Sequence, residues 1–153
     1  MAYSNGKIKI PQVTGNIVIT VTTAQKQAPP LRNLANPQSA EWKSGYRINS
    51  SAQILSMGNS QVTNLIPVAV GDIIRVKNAG ELRTYIAATF ANASATQGTK
   101  MDYTKSYDST TGVATYNVTG AAYGYARFSF LTADVVGTVD DIIITRNQEI
   151  PAN

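Results

Sequence analysis

The sequence predicts an all-β protein: an antiparallel β-sandwich of jelly-roll type preceded by a short β-hairpin segment. Three observations carry this. Apolar and polar residues alternate with a period of two in several runs bounded by Gly, Pro, Asn or Ser clusters, the signature of half-buried strands. Hydrophobic residues make up 43% and charged residues only 14% of the 153-residue chain, which suits a packed β globule that buries roughly two thirds of its unfolded surface. No helical period is sustained; Gly120-Ala121-Ala122-Tyr123-Gly124 allows at most one turn between two glycines.

Taken in order, Gly6 to Pro11 and Asn16 to Thr23 read as two strands joined around Thr14-Gly15-Asn16, where a turn needs Gly or Asn at positive φ. Gln25 to Pro30 is polar and ends in a double proline, which lacks ladder donors and reads as a linker or an edge crossing. It separates a hairpin unit over 1–26 from a sandwich over 31–153. Leu31 to Glu41 sustains no period, and Asn36-Pro37 marks a turn. Strands are then expected near Gly45–Ser51, Val62–Val68, Asp72–Lys77, Arg83–Ala91, Val113–Thr119, Tyr125–Leu131 and Asp141–Asn147. Asn92 to Thr111 is small and polar and reads as a long loop carrying Asp102, Tyr103, Tyr107 and Asp108.

Alternation assigns faces. Phe128 and Phe130 point to the core and Arg127 and Ser129 away from it; Ile74 and Val76 point in, Arg75 and Lys77 out. Asp141-Ile142-Ile143-Ile144-Thr145 is apolar enough to be covered on both faces, which places it in mid-sheet. Tyr46 is expected in the core and Arg47 outside.

Several chemistries are disfavoured. The chain has no Cys and no His, which removes disulfides, thiol nucleophiles, ordinary zinc sites and His-based acid–base schemes. Its net charge of +4 is scattered rather than clustered, so a basic surface is expected rather than nucleic-acid binding. No apolar run reaches the ~18 residues that cross a bilayer as a helix, and Met1 to Lys9 lacks the layout of a secretory signal. Nine acidic residues can always supply a carboxylate pair, but none stands in a glycosidase-like motif. No cofactor is expected and no metal site, because Asp102 and Asp108 lack the acidic spacing of a calcium loop.

A resemblance extends this reading. The opening IKIPQVTGNIVITVT is similar to the recurrent IPxVTGDIxIT ending of tail-fibre and baseplate modules in bacteriophages and prophages. WKSGYRINSS and VTNLIPVAVGDIIRVKN resemble a jelly-roll carbohydrate-binding module found downstream of such endings, and the Tyr125-Ala126-Arg127-Phe128 strand before a last Ile-rich strand fits the same pattern. Thr84 to Asp108 departs from it. The resemblance implies a non-catalytic receptor-binding protein of the virion tail, assembled in the host cytoplasm, that attaches to bacterial cell-surface polysaccharide. It also implies a homotrimer, other tail subunits as partners, and a chain that belongs to a longer polypeptide. The alternative is a purely structural fibre or baseplate domain that only mediates subunit contacts.

Sugar recognition needs half-exposed rings for pyranose C–H faces and planar polar groups at their edges; the chain has 8 Tyr against 3 Phe and 1 Trp. The candidates are Trp42, Arg47, Arg75, Tyr85, Tyr103, Tyr107 and Arg127. Trp42 reads either as a stacking platform or as a cap on the end of the sandwich. Arg47, Arg75 and Arg127 read as partners on one concave sheet or as members of ion pairs with Asp72, Asp140 or Asp141. Tyr85, beside small Ala87 and Thr89, reads as the wall of a shallow groove, and Tyr103 with Tyr107 as a site on a loop.

Overall fold

The computed structural model describes residues 2–4, 7–9, 29–81 and 87–151. It is all-β, with two antiparallel sheets packed as a sandwich. In chain order the strands are β1 (Ala2–Ser4), β2 (Lys7–Lys9), β3 (Lys43–Ile48), β4 (Ile54–Val62), β5 (Ile66–Pro67), β6 (Ile73–Lys77), β7 (Ala87–Thr89), β8 (Thr99–Lys100), β9 (Asp102–Asp108), β10 (Val113–Gly120), β11 (Tyr125–Leu131) and β12 (Ile143–Arg146). One sheet has the order β12-β6-β10-β9, the other β3-β4-β11-β7-β8 with β5 also on β11. Helical structure among the described residues is confined to two 3₁₀ turns, Thr132–Asp134 and Val139–Asp141.

Strands β1 and β2 pair antiparallel, with Ala2 opposite Lys9, Tyr3 opposite Ile8 and Ser4 opposite Lys7. The hairpin expected around Thr14-Gly15-Asn16 lies outside the described residues; only β2, within the span expected for its first strand, is placed.

The core follows the two-residue period. Ile74 and Val76 of β6 and Ala114, Tyr116 and Val118 of β10 face Ala126, Phe128 and Phe130 of β11. The rings of Tyr116 and Phe128 meet edge to face at 5.3 Å, tying sheet to sheet. Each large apolar side chain buried there contributes about 1.5–3 kcal/mol. A second cluster of Ile48, Ala52, Ile54, Val62, Ala88 and Phe90 gathers elsewhere on the five-stranded path.

The turn before β6 explains the run Pro67 to Asp72. The Asp72 amide donates to the Ala69 carbonyl at 3.1 Å, and Gly71 sits at φ +92°, the positive value a type II turn requires at its third residue. The Asp72 carboxylate then accepts from the Ala69 amide, from Asn147 Nδ2 and from Arg146 Nε, each at 2.7 Å. Turn and last strand are thereby locked together. Burial alone would raise the pKa of Asp72, but these hydrogen bonds and the Arg146 charge hold it below the ordinary value.

Four expectations change. β12 is not mid-sheet but the edge of its sheet; the covering comes from the Asn33-Leu34 arm, whose Leu34 amide donates to the Ile144 carbonyl at 2.8 Å while Asn33 bonds both Ile144 N and Ile142 O. A coil can protect an edge as a strand does. Val62 to Val68 is not one strand: β4 ends at Val62 and β5 holds only two residues. The loop expected over Asn92 to Thr111 contains β8 and β9; in β9 Lys105 lies between Tyr103 and Tyr107 and interrupts the apolar period. Tyr46 is 42% exposed rather than core: it lies opposite exposed Ser56, while Ile48, two residues on along the same face, lies opposite buried Ile54, so the core ends between them.

Candidate functional site

The outer face of the four-stranded sheet carries the candidate site. Thr115 of β10 lies opposite Arg75 of β6 and opposite Ser106 of β9, and Arg75 lies opposite Thr145 of β12. Because directly paired residues share a face, Ser106, Thr115, Arg75 and Thr145 form one polar row across all four strands. The C-terminal segment walls it. Glu149 and Ile150, with Tyr107, Asp108, Thr111 and Val113, complete a groove of about 330 Å³.

Hydrogen bonds fix its charged groups. Arg75 donates to the Gln148 carbonyl at 3.3 Å and forms an ion pair with Glu149. Thr145 Oγ1 donates to the same Gln148 carbonyl at 2.7 Å, which anchors the wall to the sheet. At the other end Asp108 accepts from the Thr110 amide at 2.9 Å and from Thr111 Oγ1 at 2.7 Å. The Thr111 hydroxyl first, then the Thr110 amide, lower the pKa of Asp108. The groove therefore offers fixed acceptors, a guanidinium and hydroxyls beside Val113 and Ile150, a set suited to holding a polyhydroxylated molecule.

Of the seven residues singled out from sequence, the groove unites Arg75 and Tyr107, with Tyr107 also packing on the core. Tyr103 is separated from them: its ring meets Tyr116 at 5.0 Å, burial raises its pKa, and it lines a smaller pocket of about 150 Å³ with Ile48, Asn49, Lys100 and Met101. Arg47 is exposed on β3, in the other sheet, so the expected single concave sheet of Arg47, Arg75 and Arg127 does not form. Trp42 is half-buried, with its Nε1 donating to Gln61 Oε1 at 2.9 Å and its ring edge on Phe130. It caps the core. Tyr85 lies outside the described residues, while Ala87 and Thr89 of its expected open track are buried.

Arg127 is the clearest correction. It does leave the core face, as alternation requires, yet it is fully buried. Nη1 donates to the carbonyls of Glu41 at 2.5 Å and Thr63 at 2.6 Å, and Nη2 to that of Ala93 at 3.2 Å. Desolvation lowers its pKa, partly offset by the Glu41 charge. Glu41 in turn accepts from the Leu65 amide. Arg127 is a clamp joining three loops, out of reach of a ligand.

Sequence reasoning missed most of the groove lining, since Ser106, Thr111 and Thr115 are ordinary strand and turn residues without a motif. It also missed an exposed apolar end of the sandwich, where Val70, Tyr123 and Tyr125 are 64%, 41% and 45% exposed. The Tyr123-Gly124-Tyr125 pattern was the available signal there. No family model, no curated protein and no solved structure matches the chain.

Proposed function

We propose that this chain is a non-catalytic host-recognition domain of a phage or phage-derived tail, and that it holds bacterial surface glycan in the groove between β6, β9, β10 and the C-terminal wall. The observation that carries the reading is the polar row Ser106-Thr115-Arg75 set beside Val113 and Ile150 on an open sheet face. Saccharides are held by such mixtures of planar polar groups and small apolar surfaces. The fibre-like motifs of the sequence supply the setting: virion tail, other tail subunits and a trimeric assembly.

A bacterial-envelope pulldown tests it with a groove-filling variant. Thr115→Trp should abolish retention while moving the melting temperature little, because outward substitutions on a strand shift stability by about 0.5 kcal/mol. Full retention by a folded Thr115→Trp protein would rule out this groove. The second reading, a structural domain making only subunit contacts, is favoured by the exposed Tyr46 and Leu55 on the β3–β4 pair, each 42% exposed. An oligomer that buries Thr115 and Ser106 between subunits would decide for it.

A further inference from the structure

The charges in the groove are unequal, and they narrow the class of sugar. Among the described residues that line it, one guanidinium, Arg75, stands against two carboxylates, Asp108 and Glu149; Lys77, opposite Val113 on the same face, is buried. The guanidinium is already engaged by Glu149 and the Gln148 carbonyl, and its side chain is only 15% exposed. Asp108, by contrast, is held by neutral donors, the Thr110 amide and the Thr111 hydroxyl, which leave its negative charge in place. We infer that, granted the glycan-binding reading above, the groove takes neutral or amino-bearing saccharides and turns away those carrying carboxylate or phosphate.

Two physical effects act in the same direction. An acidic sugar would bring a like charge up to Asp108 and Glu149, an arrangement that interfaces avoid because like charges brought together are costly. An ammonium group would instead donate a charge-assisted hydrogen bond to a carboxylate whose geometry is already fixed. The depressed pKa of Asp108 keeps that acceptor ionised into mildly acidic solution. The net charge of +4 pulls acidic polymers the other way, but only at long range, where salt screens it beyond about 8 Å at physiological ionic strength.

The experiment is a glycan array probed with the full chain at about 0.15 M salt, with neutral, amino-bearing and acidic saccharides on matched backbones, repeated with Asp108→Asn. Asparagine can still accept from the Thr110 amide, so the turn is kept, and melting curves check this. The inference expects bound saccharides to be neutral or amino-bearing, acidic counterparts to bind at least about tenfold more weakly, and Asp108→Asn to narrow that gap. Acidic counterparts bound equally well, or a gap unchanged in a folded Asp108→Asn protein, would overturn the inference and leave glycan binding standing. Retention of no saccharide at all would overturn both.

Discussion

Arg75 and Arg127 look alike in sequence, each flanked by core residues on an alternating strand, but the molecule uses them differently. Arg75 borders an open groove and pairs with an exposed Glu149. Arg127 is sealed under three loops and feeds their carbonyls. On the Arg75 face a groove stays open beside Thr115 although Lys77 and Thr145 are buried there, whereas the place where Arg127 leaves its strand is roofed. A two-residue period tells which way a side chain leaves the strand, not what comes to rest on top of it.

The sharpest way to break this comparison is to delete both guanidinium groups in turn. Arg127→Ala removes the donor from three carbonyls and should cost about 3 kcal/mol, since charged hydrogen bonds lost in the interior leave their partners unsatisfied. That corresponds to a drop of about 6–12 °C in melting temperature for a chain of this size. A shift within about 2 °C would show the roof holds without its clamp. Lysine should not rescue it, because a single ammonium cannot reproduce the planar fork.

Asp72→Asn comes next and separates turn chemistry from groove chemistry. Its folded pKa is depressed, so its contribution is complete above the unfolded value of 3.8 and is lost as the pH falls through the lower folded value. The wild type should therefore lose stability on acidification below about pH 5. Asp72→Asn should be less stable at neutral pH by about 1–2 kcal/mol and flatter over the acid range, with Asp108 and Asp141 keeping part of the slope. Identical pH profiles from urea titrations would remove Asp72 from the account. The smallest effect belongs to Arg75→Ala, below about 1 kcal/mol because its Glu149 partner lies in water. A loss equal to that of Arg127→Ala would erase the contrast.

The motifs that carry the fibre-like resemblance are explained by the scaffold. In Pro67 to Arg75, Gly71 supplies the positive φ of a turn and Asp72 its staple to Arg146 and Asn147. In Tyr125 to Phe128, Arg127 clamps loops and Phe128 fills the core. Gly71 and Phe128 are legible because they serve local geometry, which leaves periodic or turn-specific traces, whereas the clamp of Arg127 joins segments distant in sequence and leaves none. The groove is assembled from Ser106, Thr115, Arg75 and Glu149 on separate segments, and no spacing in the chain announces that they meet. β9 was hidden for a related reason: an edge strand with Lys105 between its two tyrosines lacks a continuous apolar face.

By itself the sequence determined the all-strand class and the inward set Ile74, Val76, Phe128 and Phe130, consequences of side-chain period and backbone sterics. Only the tertiary structure decided that β12 is an edge protected by Asn33, that Trp42 caps the core, that Arg127 is roofed and Arg75 is not, and that a groove opens beside Thr115. Those outcomes depend on which distant loops settle over a face, and long-range packing of that kind is not written in the order of residues along any one strand.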